Sequence, residues 1–166
     1  RRSSIPKHCP VFDNDLVCTQ PLDGYRFEID REANRLLPDI IANELVKIAS
    51  CEIVDDQFAA DYRRARTIGI VFSGGPAPGG HNVIAGIFDA AKAVNPDSRV
   101  MGFWMGPDGI IENQVVELTA AHIDRYRNMG GFGMIKTGRT KIDTPEKMAL
   151  SRDTCRQLGL DALVVV

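Results

Sequence analysis

The chain has 166 residues, of which 44% are hydrophobic and 25% charged, with a formal net charge of −2. That length allows one domain, or a domain with an extension, and a real core. The charge balance gives no electrostatic case for nucleic acid or an anionic membrane, and no run approaches the roughly 18 apolar residues of a membrane span.

Arg1-Arg2-Ser3-Ser4 lacks the hydrophobic region that a secretory leader carries behind its charges. Cys9, Cys18, Cys51 and Cys155 have neither C-x-x-C pairing nor metal-ligand spacing. These features read as a cytoplasmic chain with reduced thiols. In chain order, residues 1–35 carry Pro6, Pro10, Pro21 and Gly24 among polar residues, which predicts an extended, surface-wrapping segment. Ile41, Leu45 and Ile48 at i, i+4 and i+7 predict a helix opened near Pro38-Asp39. Val54, Phe58 and Tyr62 predict a second helix ahead of Arg63-Arg64-Ala65-Arg66, a basic run that reads as a solvated helix end. The division expected here is an amino-terminal extension over 1–66 and the first part of an α/β domain over 67–166.

Ile68 to Phe72 is apolar and β-branched enough for a buried parallel strand. A turn with four glycines and two prolines follows. Val83, Ile84, Ile87, Phe88 and Ala91 then share one face of a helix. Ser98 to Met105 reads as the second strand, with Met101, Phe103 and Trp104 as core, and Asp108-Gly109 as a turn. Thr144 is placed to cap a helix with Pro145 at its first position and Gly159 just past its end. Leu160 to Val166 closes as a strand. The alternation implies a mostly parallel sheet with helices on both faces.

A strand, a glycine turn and a helix aim backbone N–H groups at one spot, which suits an anion such as phosphate. The turn is equally able to be a plain βα connection. A Walker loop would place Lys-Ser or Lys-Thr after its last glycine, whereas Gly80 precedes His81-Asn82, and Gly-x-Gly-x-x-Gly does not fit. Ser73-Gly74-Gly75-x-Ala77-Pro78-Gly79, opening a helix, resembles the phosphofructokinase superfamily. Gly79-Gly80-His81-Asn82-Val83-Ile84 is similar to its pyrophosphate-dependent branch rather than to the ATP-dependent bacterial enzymes. Tyr126-Arg127-Asn128-x-Gly130-Gly131-Phe132, Lys136-Thr137-Gly138-Arg139-Thr140-Lys141-Ile142, Thr144-Pro145-Glu146 and the closing Leu160-Asp161-Ala162-Leu163-Val164-Val165-Val166 extend that resemblance across 67–166. The first 66 residues match only loosely.

The resemblance implies a phosphofructokinase-like α/β fold and a glycolytic transferase. Its reaction would move a phosphoryl group reversibly from pyrophosphate to the C1 hydroxyl of fructose 6-phosphate, with Mg²⁺. The alternatives are an ATP-dependent 6-phosphofructokinase or a non-catalytic regulatory subunit of the same family. Gly74 and Gly75 would bind the donor phosphate, with Gly75 in direct backbone contact. Arg139 sits on a glycine-bounded loop, where sequence alone favours a surface ion pair. The family motif implies instead a bidentate clamp on the transferred group, a catalytic role. Lys141 is either a second donor-site cation or solvated. His81 is expected to hydrogen-bond locally or shape the loop rather than to catalyse. Tyr126 and Arg127 either line the donor pocket or, preferably, anchor the Gly130-Gly131 turn. Asp108 is a weak candidate.

Some positions depart from the family pattern. Ala85 and Asp89 stand where ATP-dependent bacterial enzymes carry two arginines for a nucleotide effector, which puts that regulation in doubt. Pro76 replaces a common glutamine or aspartate without an evident reason. The family's metal-binding aspartate, catalytic aspartate and sugar-phosphate residues would follow Val166. Mg²⁺ ligands are therefore expected there, and the chain is expected to be an amino-terminal fragment that is inactive alone. A homo-oligomer with the rest of the enzyme is expected, with no nucleic-acid or membrane partner.

Overall fold

Val17, Thr19, Val46 and Ile48 are β-branched residues alternating with other types, a pattern that suits pleated ribbon. They lie in strands β1 (Leu16–Pro21) and β2 (Val46–Cys51), which pair antiparallel with Leu16 opposite Cys51 and Pro21 opposite Val46. The computed structural model describes residues 7, 9–12, 16–24, 31–41, 43, 45–52 and 55–166. The described chain forms two units, Pro6–Ala59 and Ala60–Val166.

The first unit corrects one expectation and refines another. The segment expected to be merely extended contains a 3₁₀ turn (Pro10–Phe12), β1 and the short helix α1 (Arg31–Leu36). The helix expected through Ile41, Leu45 and Ile48 stops after one turn, α2 (Pro38–Ile41), and Ile48 lies in β2. Pairing with β1 outweighs the accidental helical spacing. Phe58 and Tyr62 do lie in a helix, α3 (Asp56–Tyr62). Asp55 opens it by accepting from the Phe58 amide at 2.7 Å. Val54 and the first six residues, Pro6 among them, lie outside the described residues.

In the second unit the apolar run after Arg66 forms β3 (Thr67–Val71). It lies between β4 (Arg99–Phe103) and β6 (Ala162–Val165), parallel to both. The short β5 (Val115–Glu117) adds antiparallel to β4, giving the order β5-β4-β3-β6. Successive residues of β3 point to opposite faces, and each face has its own helices. Ile70, Phe72 and Val100 pack with Ile84, Ala85 and Phe88 of α4 (Gly80–Val94) and Ile123 of α6 (Ala120–Tyr126). Val71 and Phe103 pack on the other side with Ile110 of α5 (Pro107–Ile111) and with Cys155 of α7 (Pro145–Gln157). Burying each large side chain contributes about 1.5–3 kcal/mol. The result is the expected α/β arrangement, a mostly parallel sheet covered on both faces.

Three details differ from expectation. Val83 is exposed and Ala85 takes its place on the buried stripe of α4. The second strand ends at Phe103, so Trp104 is only half buried and Met105 turns away at φ 61°. Asp108-Gly109 is not an isolated turn but the middle of α5, because Pro107 presets helical φ at its first position. The basic run before β3 is paired as well as solvated. Arg64 reaches Asp61 at 2.9 Å and Asp161 at 2.7 Å, and Arg66 reaches Asp61 at 2.8 Å. The Thr67 amide and then Arg64 hold Asp161 below the usual carboxylate range, tying the start of β3 to that of β6.

Thr144 caps α7 as its sequence predicts, its hydroxyl accepting from the Lys147 amide at 3.3 Å. Thr144→Ala should therefore cost about 1 kcal/mol. In a chain of this size that lowers the melting temperature by about 2–4 °C. An unchanged melting curve would show the cap to be idle.

Candidate active site

Loops leaving the carboxyl ends of β3 and β4 meet a third segment, and this is the edge where open α/β sheets bind ligands. The chain leaves β3 through Phe72 and turns at Gly74 with φ 118°. Ser73 forms an isolated parallel bridge with Gly138. The Gly74 amide donates to the Gly138 carbonyl at 2.8 Å. The Thr137 hydroxyl donates to both the Phe72 carbonyl, at 3.1 Å, and the Gly74 carbonyl, at 2.9 Å. The segment after β4 crosses just as closely. A side chain on Gly138 would run into the Met105 carbonyl, and one on Gly106 into the Gly138 amide. Only glycine allows three backbones to approach in this way.

That crossing brings Arg139 beside the glycine turn. One guanidinium nitrogen lies 3.1 Å from the point a Gly75 side chain would occupy, and both residues are exposed. The next residue is fixed by a partner that sequence reasoning ranked low. Thr140 donates its hydroxyl to Asp108 at 2.8 Å, so the first turn of α5 holds the Arg139 loop. The acidic residue behind Pro107 was the available signal, but its partner is 32 positions away. Of the predicted site residues, Gly74, Gly75 and Arg139 come together. Lys141 is exposed, its carbonyl accepts from Lys147 at 3.1 Å, and no described contact brings its ammonium to Gly75.

The far end of the turn is held differently. Gly79, at φ 98°, precedes α4, which has no side-chain cap. The His81 amide donates to the Gly131 carbonyl at 2.9 Å, and its Nε2 accepts from the Met134 amide at 2.9 Å. Burial pushes the His81 pKa below its ordinary value, opposed in part by the Gly130 carbonyl. Tyr126 packs against this ring at a tilt, with centroids 4.7 Å apart. Arg127 grips Asp89 with two bonds of 2.6 and 2.9 Å and also reaches Asp124 at 3.2 Å, joining α6 to α4. Asp89 foremost and Asp124 next raise the pKa of Arg127 further above an already basic value. Tyr126 and Arg127 therefore anchor this region. Asp89, which stands at one of the two effector-arginine positions, is the acceptor of that anchor, and Ala85 at the other is buried in the core.

Chemically, the corner offers exposed glycine backbone, the start of a 15-residue helix and one guanidinium. Such a set complements a phosphate group. Among the described residues no three His, Cys, Asp or Glu side chains are grouped to hold a metal ion. No described helix is long and apolar enough to cross a membrane.

Residues 67–166 match the phosphofructokinase family model, and the chain belongs to that family. Among named relatives, a pyrophosphate–fructose 6-phosphate 1-phosphotransferase of Porphyromonas gingivalis is 58% identical over 99 residues, covering 60% of this chain and 18% of that protein. Subunit beta 1 of the Arabidopsis thaliana enzyme of that name is 47% identical over 117 residues, or 70% of this chain and 21% of that subunit. Pichia pastoris phosphofructokinase in its T-state aligns with a TM-score of 0.49 and 23% identity, over 73% of this chain and 13% of that one. The chain thus spans about a fifth of the length of the curated relatives it matches.

Proposed function

We propose that this chain is the donor-phosphate part of a pyrophosphate-dependent phosphofructokinase. That enzyme transfers a phosphoryl group from pyrophosphate to the C1 hydroxyl of fructose 6-phosphate. Residues 67–166 form the donor domain and 1–66 its extension. The observation that carries the reading is the Arg139 guanidinium set against the bare backbone of Gly75. Relatives named for this reaction support it.

In this reading the Gly74-Gly75 backbone receives the donor and Arg139 clamps the group in flight. Arg139 is fixed through Thr140 and Asp108, so little reorganisation is needed as charge shifts. Lys141 adds positive potential at the rim. Mg²⁺ would neutralise phosphate charge. The described residues do not group to hold it, and no step is assigned to it. We place the protein in the cytoplasm as an oligomer, in keeping with plant relatives named as alpha and beta subunits.

Phosphorus NMR of the protein carrying this chain, given fructose 6-phosphate and either donor, tests the proposal. Pyrophosphate should be consumed with formation of fructose 1,6-bisphosphate, and ATP should not replace it. Turnover with ATP but not pyrophosphate would overturn the donor assignment.

A further inference from the structure

His81 is the second residue of α4 and only 5% exposed, close behind an exposed glycine turn. Its contacts all run to one segment and one helix. The amide and Nε2 engage Gly131 and Met134, and the ring lies on Tyr126. A Cβ added to Gly131 or Gly133 would stand 3.8 Å from the imidazole, an ordinary contact, so both glycines border the ring. From Met134 the chain passes through buried Ile135, whose carbonyl accepts from the Met105 amide at 3.0 Å, and then enters the Thr137–Thr140 crossing.

We propose that His81 is a positioning residue for the donor site. As a neutral acceptor it locks the Gly130–Lys136 segment onto the start of α4 and so sets Arg139 against Gly75. This rests on the donor-site reading above.

The Met134 N–H needs a lone pair at Nε2, so the ring's proton must sit on Nδ1. Protonating the ring turns Nε2 into a donor facing another donor and breaks the lock. Burial works against that protonation, and only the Gly130 carbonyl is found opposing it. Tyr126 is the titratable side chain facing the ring from α6, while Gly130, Gly131, Gly133 and Met134 present backbone. A histidine whose folded pKa is depressed supports the fold fully above its ordinary value of 6.5. That support is lost as pH falls through the folded value. The lock is therefore closed at neutral pH and opens on the acid side.

The test is calorimetric titration of the protein carrying this chain with pyrophosphate between pH 8 and 5, for wild type and His81→Gln. The glutamine carbonyl can accept from Met134 but cannot titrate there. Comparing the two affinities at each pH cancels the titration of pyrophosphate itself. Apparent Kd scales inversely with the locked fraction, so wild type should lose about tenfold in affinity per pH unit below the histidine midpoint, relative to the variant. Parallel profiles would overturn the inference alone. No binding by wild type at pH 8 would overturn the donor reading, and this inference with it. If the variant does not fold, the wild-type Met134 amide shift decides. It should titrate together with Kd, and a stationary shift while affinity falls would refute the lock.

Discussion

Gly75→Val is expected to raise the KM for pyrophosphate by about 10- to 100-fold in the protein carrying this chain. A backbone hydrogen bond to a charged group contributes about 1.5–3 kcal/mol, and each ~1.4 kcal/mol is a factor of ten. Gly75 is not in the left-handed backbone region, so valine there meets no penalty of that kind. The only heavy atom that an added Cβ would crowd is the Arg139 guanidinium, at 3.1 Å. The residue is exposed, so stability should move by no more than about 0.5 kcal/mol. The two effects separate a donor glycine from a turn glycine. The KM for fructose 6-phosphate should stay near wild type, since nothing around Gly75 binds the sugar in the proposed scheme. Equal KM values for both substrates in wild type and variant would reduce Gly75 to a connection.

The glycine turn and its flanking strand and helix were legible because three local signals agreed. A β-branched run, a glycine cluster and a helical stripe all point to the same βα unit, and β3 and α4 fall there. Agreement between levels of that kind is what specifies a fold. The region around Ile41, Leu45 and Ile48 offered one signal only. Three apolar residues at helical spacing cannot be told from a turn of helix followed by a strand. The pairing of Val46–Cys51 with Leu16–Pro21, a tertiary fact, decided the outcome. Val83 failed for a related reason. The apolar spacing runs one residue wider than the buried stripe, and the small Ala85 belongs to the core.

The site followed the same division. Gly74, Gly75 and Arg139 could be picked by motif, and the crossing of Gly138 with Gly74 explains how residues so far apart in sequence meet. What supports them was not readable. Asp108 and Thr140 are 32 residues apart, and Asp89 and Arg127 are 38 apart. Each is an ordinary polar residue until its partner is known. Lys141 is exposed, and its carbonyl accepts from Lys147.

Arg139→Ala is expected to lower kcat by on the order of 10²–10³ while changing substrate affinity much less. A guanidinium aimed at the transferred group interacts most strongly as charge moves, so its loss acts chiefly on the transition state. The competing reading from sequence was a surface ion pair, worth about 0–1 kcal/mol of stability and nothing in turnover. Among the described residues Arg139 is paired with no carboxylate, and neither are the exposed Arg63 and Arg156, so the lack of a partner does not by itself mark a site. What supports the proposed clamp is its place, on a loop held by Thr140 and Asp108 and beside the bare backbone of Gly75. Arg139→Lys should recover only part of the rate, because lysine keeps the charge but not the two-pronged geometry. Steady-state kinetics and melting temperatures of both variants separate the readings. Normal kcat with a slightly lower melting temperature in the alanine variant would remove Arg139 from the site. A large kcat loss at unchanged stability, partly restored by lysine, would fix its role as the clamp.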